Sequence, residues 1–423
     1  MYRVSSDMLN MDMQFHMRRQ EERLSKAENQ IGSQNKILEL RDDPLAASRA
    51  VRYESYLARL ERYEKNALYA KDHYNAAYAY MSEANDVLQR IRELGVTGAN
   101  GIYSPDDLKV MAGEVNELIK ELVAISNAIG PDGKQMFAGD KAFTEPFRLM
   151  EGTIPGGGEN MVVGVEYRGA GASRQTEITE RTYAQLDLGG GEAFWAEKMQ
   201  IYSTSDATDY RVNTSGAFFI DGVEISVAPG DTLPAIVAKI NESPAPVKAY
   251  IDPQTRGLAL EGTTAHMIRA EDKVGPDGTI DSGAHVLRDL GIIRGNMENN
   301  APNWSNAARV SGGSIFDMAI RLRDAMFRGD QDFIGSQGIG GMDLALNSFQ
   351  SRIAQVGSRQ ERAEFTWARL NDEIPDVAAN LAREVSPDMG TAAMNLKRLE
   401  LAHQATLQAA AKLLPPTLLD FLR

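Results

Sequence analysis

Cysteine is absent from the 423 residues, which excludes a disulfide framework, a thiolate zinc site and a cysteine nucleophile. Histidine is almost as scarce. His16, His73, His266, His285 and His403 show no metal-ligand spacing, and His16, His73 and His403, in helical stretches among charged neighbours, are expected to be solvated or interfacial. No run approaches the ~18 uninterrupted apolar residues that a bilayer crossing requires. The opening eight residues lack the apolar core and small-residue cleavage site of a secretory signal. Basic charge is in deficit, with 45 Lys and Arg against 59 Asp and Glu and a net charge of −14. That balance argues against nucleic acid or an anionic membrane as the main partner, since both require clustered cations. No Walker loop, GxSxG elbow, HExxH helix or EF-hand loop occurs. The glycine-rich residues 335–341 follow no predicted strand and read as a linker, and Asp206 and Asp209 read as a solvated loop pair. No catalytic residue, metal site or cofactor is expected.

What the chain does have is two heptad ladders. Tyr53, Leu60, Ala67, Tyr74, Met81 and Leu88 recur every seventh residue, interleaved with Tyr56, Tyr63, Ala70, Ala77, Ala84 and Ile91. Near the other end Met342, Leu346, Phe349, Ile353, Val356, Gln360, Ala363, Trp367, Leu370 and Ile374 alternate at four and three, with Gln360 the one polar member. A seam sustained over this length predicts helices wound on one another. Small Ala77 and Ala84 leave room for Phe349, Ile353, Val356 and Trp367, so antiparallel pairing of the two ladders is expected.

Between the ladders the pattern changes. A helix is predicted over 8–31, with Met13, Met17, Leu24, Ala27 and Ile31 on one side and Gln20 interrupting the seam. Asp43 is placed as an N-cap with Pro44 at the first helical position, and a helix of about 75 Å at 1.5 Å per residue follows. Gly95 and Gly98 are expected to stop it. Ser104 starts another helix, and residues 130–133 end it in turn chemistry. From 139 to about 305 glycine, proline and threonine rise and short strands appear at 161–167, 175–179, 217–220 and 223–227, with a helix after a Thr232 cap. Helical periodicity resumes at Ile315, with breaks expected at Pro375 and Pro387, and a last helix carries Leu396, Leu399 and Leu413. The fold class read from this order is α+β: long paired N- and C-terminal coiled-coil helices forming a rod, with a β-rich insertion. At this length more than one core is expected. The division is 1–38 with 376–423, 39–150 with 301–375, and 151–300.

Four local sequences give the chain a resemblance to the flagellin superfamily. They are residues 41–47 (RDDPLAA), residues 133–139 (GKQMFAG) leading to Pro146 and Phe147, residues 219–223 (FIDGV) with the segments at 230–233, 239–241 and 257–262, and the end from Leu407 to Leu422. The stretch after the first helix departs from the family pattern, and the insertion is longer than in compact members. The resemblance implies a non-enzymatic structural protein of the bacterial flagellum at the junction of hook and filament. Filament flagellin is the alternative, and a glycan-binding or hydrolytic module in 151–300, built on Asp206, Asp209, Asp221 or Glu224, is a remote third. It implies an extracellular location reached by type III export without a cleaved signal. The implied partners are further copies of the chain, a neighbouring hook-associated protein, flagellin, and an export chaperone on the C-terminal segment. Assembly and packing are assigned to Arg41, Asp42, Asp43, Tyr53, Leu60, Tyr74, Ala77, Met81, Leu88, Phe137, Phe349, Ile353, Val356, Trp367, Leu396, Leu399 and Leu413.

Overall fold

The computed structural model describes residues 6–171, 173–273, 285–295 and 303–413. In chain order the elements are helices α1 (Ser6–Ser33), α2 (Pro44–Gly98) and α3 (Pro105–Ser126), then strands β1 (Phe147–Ile154), β2 (Gly158–Tyr167), β3 (Gln175–Thr179) and β4 (Thr182–Gln185). The helical turn α4 (Gly190–Ala193) precedes β5 (Gln200–Ser203), β6 (Gly216–Ile220), β7 (Val223–Val227), α5 (Leu233–Glu242), β8 (Val247–Ile251), β9 (Leu258–Gly262) and β10 (Ala270–Asp272). After α6 (Val286–Asp289) and β11 (Ala308–Ser311) the chain is helical again: α7 (Ile315–Arg328), α8 (Gln331–Phe333), a π-helical turn at Ile334–Gly338, α9 (Ile339–Val385) and α10 (Met389–Leu413). The fold is therefore mixed, with long helices toward both ends and a sheet-rich middle. All strand pairs are antiparallel, in a β1–β2 hairpin, a β3–β4 hairpin, a three-stranded β10-β6-β7 sheet and a four-stranded β11-β5-β9-β8 sheet.

Two compact units are distinguished, residues 1–65 with 367–423, and residues 66–366, so that α2 and α9 each contribute to both. In the first unit Asp43 caps α2 as its sequence predicts, its carboxylate accepting from the Ala46 N–H at 2.9 Å. Here α2 and α9 run antiparallel: Glu64 accepts from Trp367 Nε1 at 3.0 Å, Tyr56 donates to Glu373, and Arg49 reaches Glu384 at 3.1 Å. Residue numbers fall on one helix as they rise on the other. Pro375 does not break α9. Its ring is exposed, and the contacts of Glu373 and Glu384 hold the helix on either side of the one lost hydrogen bond. The second expected break does occur, at Ser386 to Asp388.

The second unit holds the core. Leu60 is buried in the first unit, and the ladder continues here with Ala67, Tyr74, Met81 and Leu88 beside Ala70, Ala77, Ala84 and Ile91, all buried. Tyr53 and Tyr56 at the head of the ladder are not buried, and Tyr56 instead turns its hydroxyl to Glu373. Antiparallel pairing with α9 recurs in Arg92–Asp343 at 2.5 Å and Lys71–Glu364 at 4.0 Å. Gly95 does not stop α2, which continues to Gly98. A Cβ at 95 would lie 3.1 Å from Leu322 Cδ2, and one at 338 would lie 2.9 Å from Leu322 Cδ1. These glycines admit α7 rather than ending a helix or forming a linker, and residues 334–338 are helical. α3 and α7 both start on capping boxes, Ser104 with Asp107 and Ser314 with Asp317. Thr232 precedes α5 but makes no cap hydrogen bond through its side chain.

Candidate assembly site

Residues 41–44 sit in the connection between α1 and α2. Lys26 of α1 donates to the Asp42 carboxylate, which also accepts from the Leu38 and Glu39 N–H groups at 3.2 Å. The Lys26 ammonium and these donors hold the Asp42 carboxyl below the ordinary carboxylate range. Arg41 is exposed and pairs with Glu39 at 2.5 Å. Of the Arg-Asp-Asp triplet, the two acids shape the chain locally, and the arginine is presented outward.

α1 packs along α10, and the Lys36 N–H donates to Val385 O at 2.8 Å where α1 ends and α9 closes. α10 therefore starts beside the end of α1, and the two run antiparallel. On α1 the half-buried side chains are Met13, Met17, Gln20, Leu24, Ala27, Gln30 and Ile31, and on α10 they include Ala392, Leu396, Leu399, Glu400, His403 and Thr406. Both sets contain the four-three spacing of a paired seam. No described side chain of α1 or α10 is fully buried. Two seam groups lack a hydrogen-bond partner among the described residues, Gln20 Oε1 and His403 Nδ1. Outside the seam, Met11 is 72 % exposed, Met394 69 % and Leu401 57 %, and Phe15 is also exposed. Leu40, in the connection, is 74 % exposed. A helix pair that buries little and displays large apolar side chains offers them to something else. The side chain of Leu413 and residues 414–423 lie outside the described residues.

In the second unit the assigned residues become core. Phe137, on the loop before β1, meets Phe194 edge-on at 5.0 Å between ring centres, and Phe194 touches Phe147, Phe316 and Phe349 at 5.2 to 5.8 Å. Phe137 and Phe349, assigned separately from sequence, thus share one aromatic cluster. Val356 is buried, and Ile353 is half-buried. Tyr74 is buried and donates to Gln185 O on the β4 strand. Burial pushes its hydroxyl pKa up.

Several organising residues carried no sequence signal. Arg174 forks onto the fully buried Asp187 at 2.8 and 2.7 Å, and His73 of α2 lies 3.7 Å away. His73 is thus buried, not solvated. Desolvation lowers its pKa and outweighs the opposing Asp187 charge. Arg323 is wholly buried, donating to Asn116 Oδ1 at 2.8 Å and to Asp324, while Asn116 Oδ1 also accepts from the Val162 N–H. The Arg174 and Arg323 bonds are charge-assisted, and those to Asn116 tie α3 to α7 and β2. No periodicity reveals them, because their partners are far apart in sequence. Of the four acids singled out in the insertion, three have separate partners, Asp206 in the Thr208 turn, Asp221 with His266 and Glu224 with Lys273, and Asp209 is exposed. Among the described residues there is no metal-binding group of acids and histidines, and no helix is long and apolar enough to cross a membrane.

Residues 4–142, which span α1, α2, α3 and the Phe137 loop, match the bacterial flagellin N-terminal helical region, and residues 211–264, from before β6 to just after β9, match the flagellin hook IN motif. Flagellar hook-associated protein 3 of Escherichia coli K12 is 28% identical over 132 residues, 31% of this chain and 42% of the relative. A flagellin of Treponema pallidum is 28% identical over 131 residues, and the match covers 46% of it. The chain thus spans less than half the length of these two relatives. Polar flagellin F of Vibrio parahaemolyticus is 21% identical over 429 residues, covering 99% of both chains. Among solved structures, hook-associated protein 3 of Legionella pneumophila aligns at 18% identity with a TM-score of 0.46, covering 78% of this chain and 97% of that one.

Proposed function

We propose, from the premise that the chain carries the flagellin N-terminal helical region and the hook IN motif, that it is a structural junction protein between flagellar hook and filament. The observation that carries the reading is the α1–α10 pair. Among the described residues it buries no side chain fully, leaves polar groups without a partner in its seam, and exposes Met11, Phe15, Met394 and Leu401. Such a pair is marginal alone and gains its missing burial between neighbouring subunits, so folding of the ends is coupled to assembly. Head-to-tail contacts between identical copies close into rings or extend as tubes. In this reading 1–38 with 376–423 forms an inner layer, 39–150 with 301–375 packs as the second layer, and 151–300 faces outward. Arg41, Leu396, Leu399 and Leu413 contact neighbouring copies, while Leu60, Tyr74, Ala77, Met81, Leu88, Phe137 and Phe349 hold each copy together. The neighbours are hook-associated protein and flagellin, and export proceeds without a cleaved signal, with a chaperone on the C-terminal segment. No catalysis is assigned.

Filament flagellin is the second reading, favoured by the match along 99% of polar flagellin F. Deletion in the native cell separates the two. Loss of a junction protein leaves hooks intact while flagellin is shed to the medium. Loss of a filament flagellin leaves every hook-associated protein assembled and no flagellin shed, and that result overturns the junction reading.

A further inference from the structure

Between the β3–β4 hairpin and α9, in the second unit, two cavities of about 250 and 260 Å³ meet at Arg359 and Gln185. Arg359 is half-buried, and Arg362 follows one turn later on the same helix face. Neither side chain makes a hydrogen bond or ion pair among the described residues. Other arginines of this unit are paired with acids. Arg174 holds Asp187, Arg323 holds Asp324, and Arg352 holds Glu192 at 2.7 Å. A half-buried guanidinium without a partner has given up hydration for nothing in return.

The acids lining the first cavity are already neutralised. Asp187 is taken by Arg174, Glu192 by Arg352, and Asp221 by His266 at 3.1 Å. The ring nitrogens of His266 face two acceptors, Asp221 Oδ2 and, at 2.9 Å, Thr264 O; burial works against its charged form, but the Asp221 carboxylate holds its pKa above the ordinary value. The uncommitted charge in the groove is therefore positive. The lining of the second cavity includes Tyr74 and Tyr183, with the cross-strand pair Gln175 and Gln185 as amide donors and acceptors.

We propose that this groove binds a carboxylate-bearing ligand, with Arg359 and Arg362 as the anion-binding pair. A guanidinium matches a carboxylate in a planar, two-bonded fork. A singly charged carboxylate suits the site better than a dianionic phosphate, because the paired acids Asp187, Asp221 and Glu192 also line the first cavity, where a second negative charge on the ligand would meet them. Each cavity lies just below the usual range for small-molecule pockets and accepts roughly a dozen non-hydrogen atoms. That is the size of an acidic monosaccharide, a short dicarboxylic acid, or one acidic side chain with its backbone. The source is either a free small acid or an exposed carboxylate of a second copy of the chain. The site is independent of the junction reading.

The test titrates the full chain with glucuronate, glutarate and a blocked glutamyl dipeptide at constant ionic strength, followed by calorimetry, with inorganic phosphate as the control. Saturable binding of at least one carboxylate is expected, weakened at least tenfold in the Arg359→Gln/Arg362→Gln double variant. The variant's circular dichroism and ligand-free melting should match the parent. Sedimentation assigns the source. Self-association that glutarate competes away and the double variant lacks identifies a second copy, and its absence alongside saturable binding identifies a free acid. The proposal is overturned if no carboxylate binds and no arginine-dependent association occurs, if the double variant binds as well as the parent, or if phosphate binds more tightly than every carboxylate.

Discussion

Ala77 shows how much depends on a small side chain in a long seam. It is 5% exposed in α2, one helical turn from buried Tyr74 and Met81, and the neighbouring Tyr78 ring lies 3.7 Å from where a Cβ at Gly357 of α9 would be. The alanines let α9 come close, and the larger ladder residues fill the space on either side. Ala77→Asp places a carboxylate in this buried position, at a cost on the order of several kcal/mol before relaxation. The expected outcome is a large drop in the melting temperature of the unit spanning 66–366, read by near-ultraviolet circular dichroism. A melt matching the parent would mean that residues 60–91 do not form a buried seam. At this scale, the sequence exposed the residues that repeat and hid those that do not. Leu60, Tyr74, Met81 and Leu88 announce themselves by spacing. Arg174 with Asp187, and Arg323 with Asn116, are pairs whose members lie on different elements, and burial alone makes them important.

Among the elements, α1 and α10 combine legible sequence with marginal packing. The interruption at Gln20 is visible in the sequence, and the structure adds that His403 lies in the facing seam at a similar distance from the Lys36–Val385 junction. Each carries a buried polar atom with no partner among the described residues. An orphaned buried polar group costs about 1–3 kcal/mol, and apolar replacement of both removes that cost. Gln20→Leu/His403→Leu is therefore expected to raise the helicity and melting temperature of the helix pair in the dilute monomer. It should also promote association away from the correct assembly site, since a polar layer in a seam restricts pairing. Unchanged helicity in the double variant would show that these groups are already satisfied by water. The short strands were harder to read. β5 and β9 pair across more than fifty residues, and neither carries enough alternation to identify its partner. Long helices reveal themselves through repetition, whereas four-residue strands gain their identity from neighbours.

For the molecule as a whole, the contrast between the two units decides how it behaves free and assembled. The unit of residues 66–366 has an aromatic cluster, buried arginines and a continuous ladder, so its amides open only with substantial unfolding. The ends have a half-buried helix pair without a fully buried described side chain. A two-helix seam of that kind contributes too little burial to offset the entropy of ordering so many residues. We therefore predict that amides of residues 1–35 and 380–423 exchange rapidly in the purified monomer and become protected in the assembled flagellum. Amides of α3, α7 and the 66–98 part of α2 should be protected in both. Hydrogen exchange read by mass spectrometry on the monomer and on isolated flagella gives the comparison directly. Ends strongly protected in the dilute monomer would show that α1 and α10 form a stable domain by themselves. Assembly would then join prefolded parts, and delayed folding could not be what keeps the chain from assembling before it reaches its site.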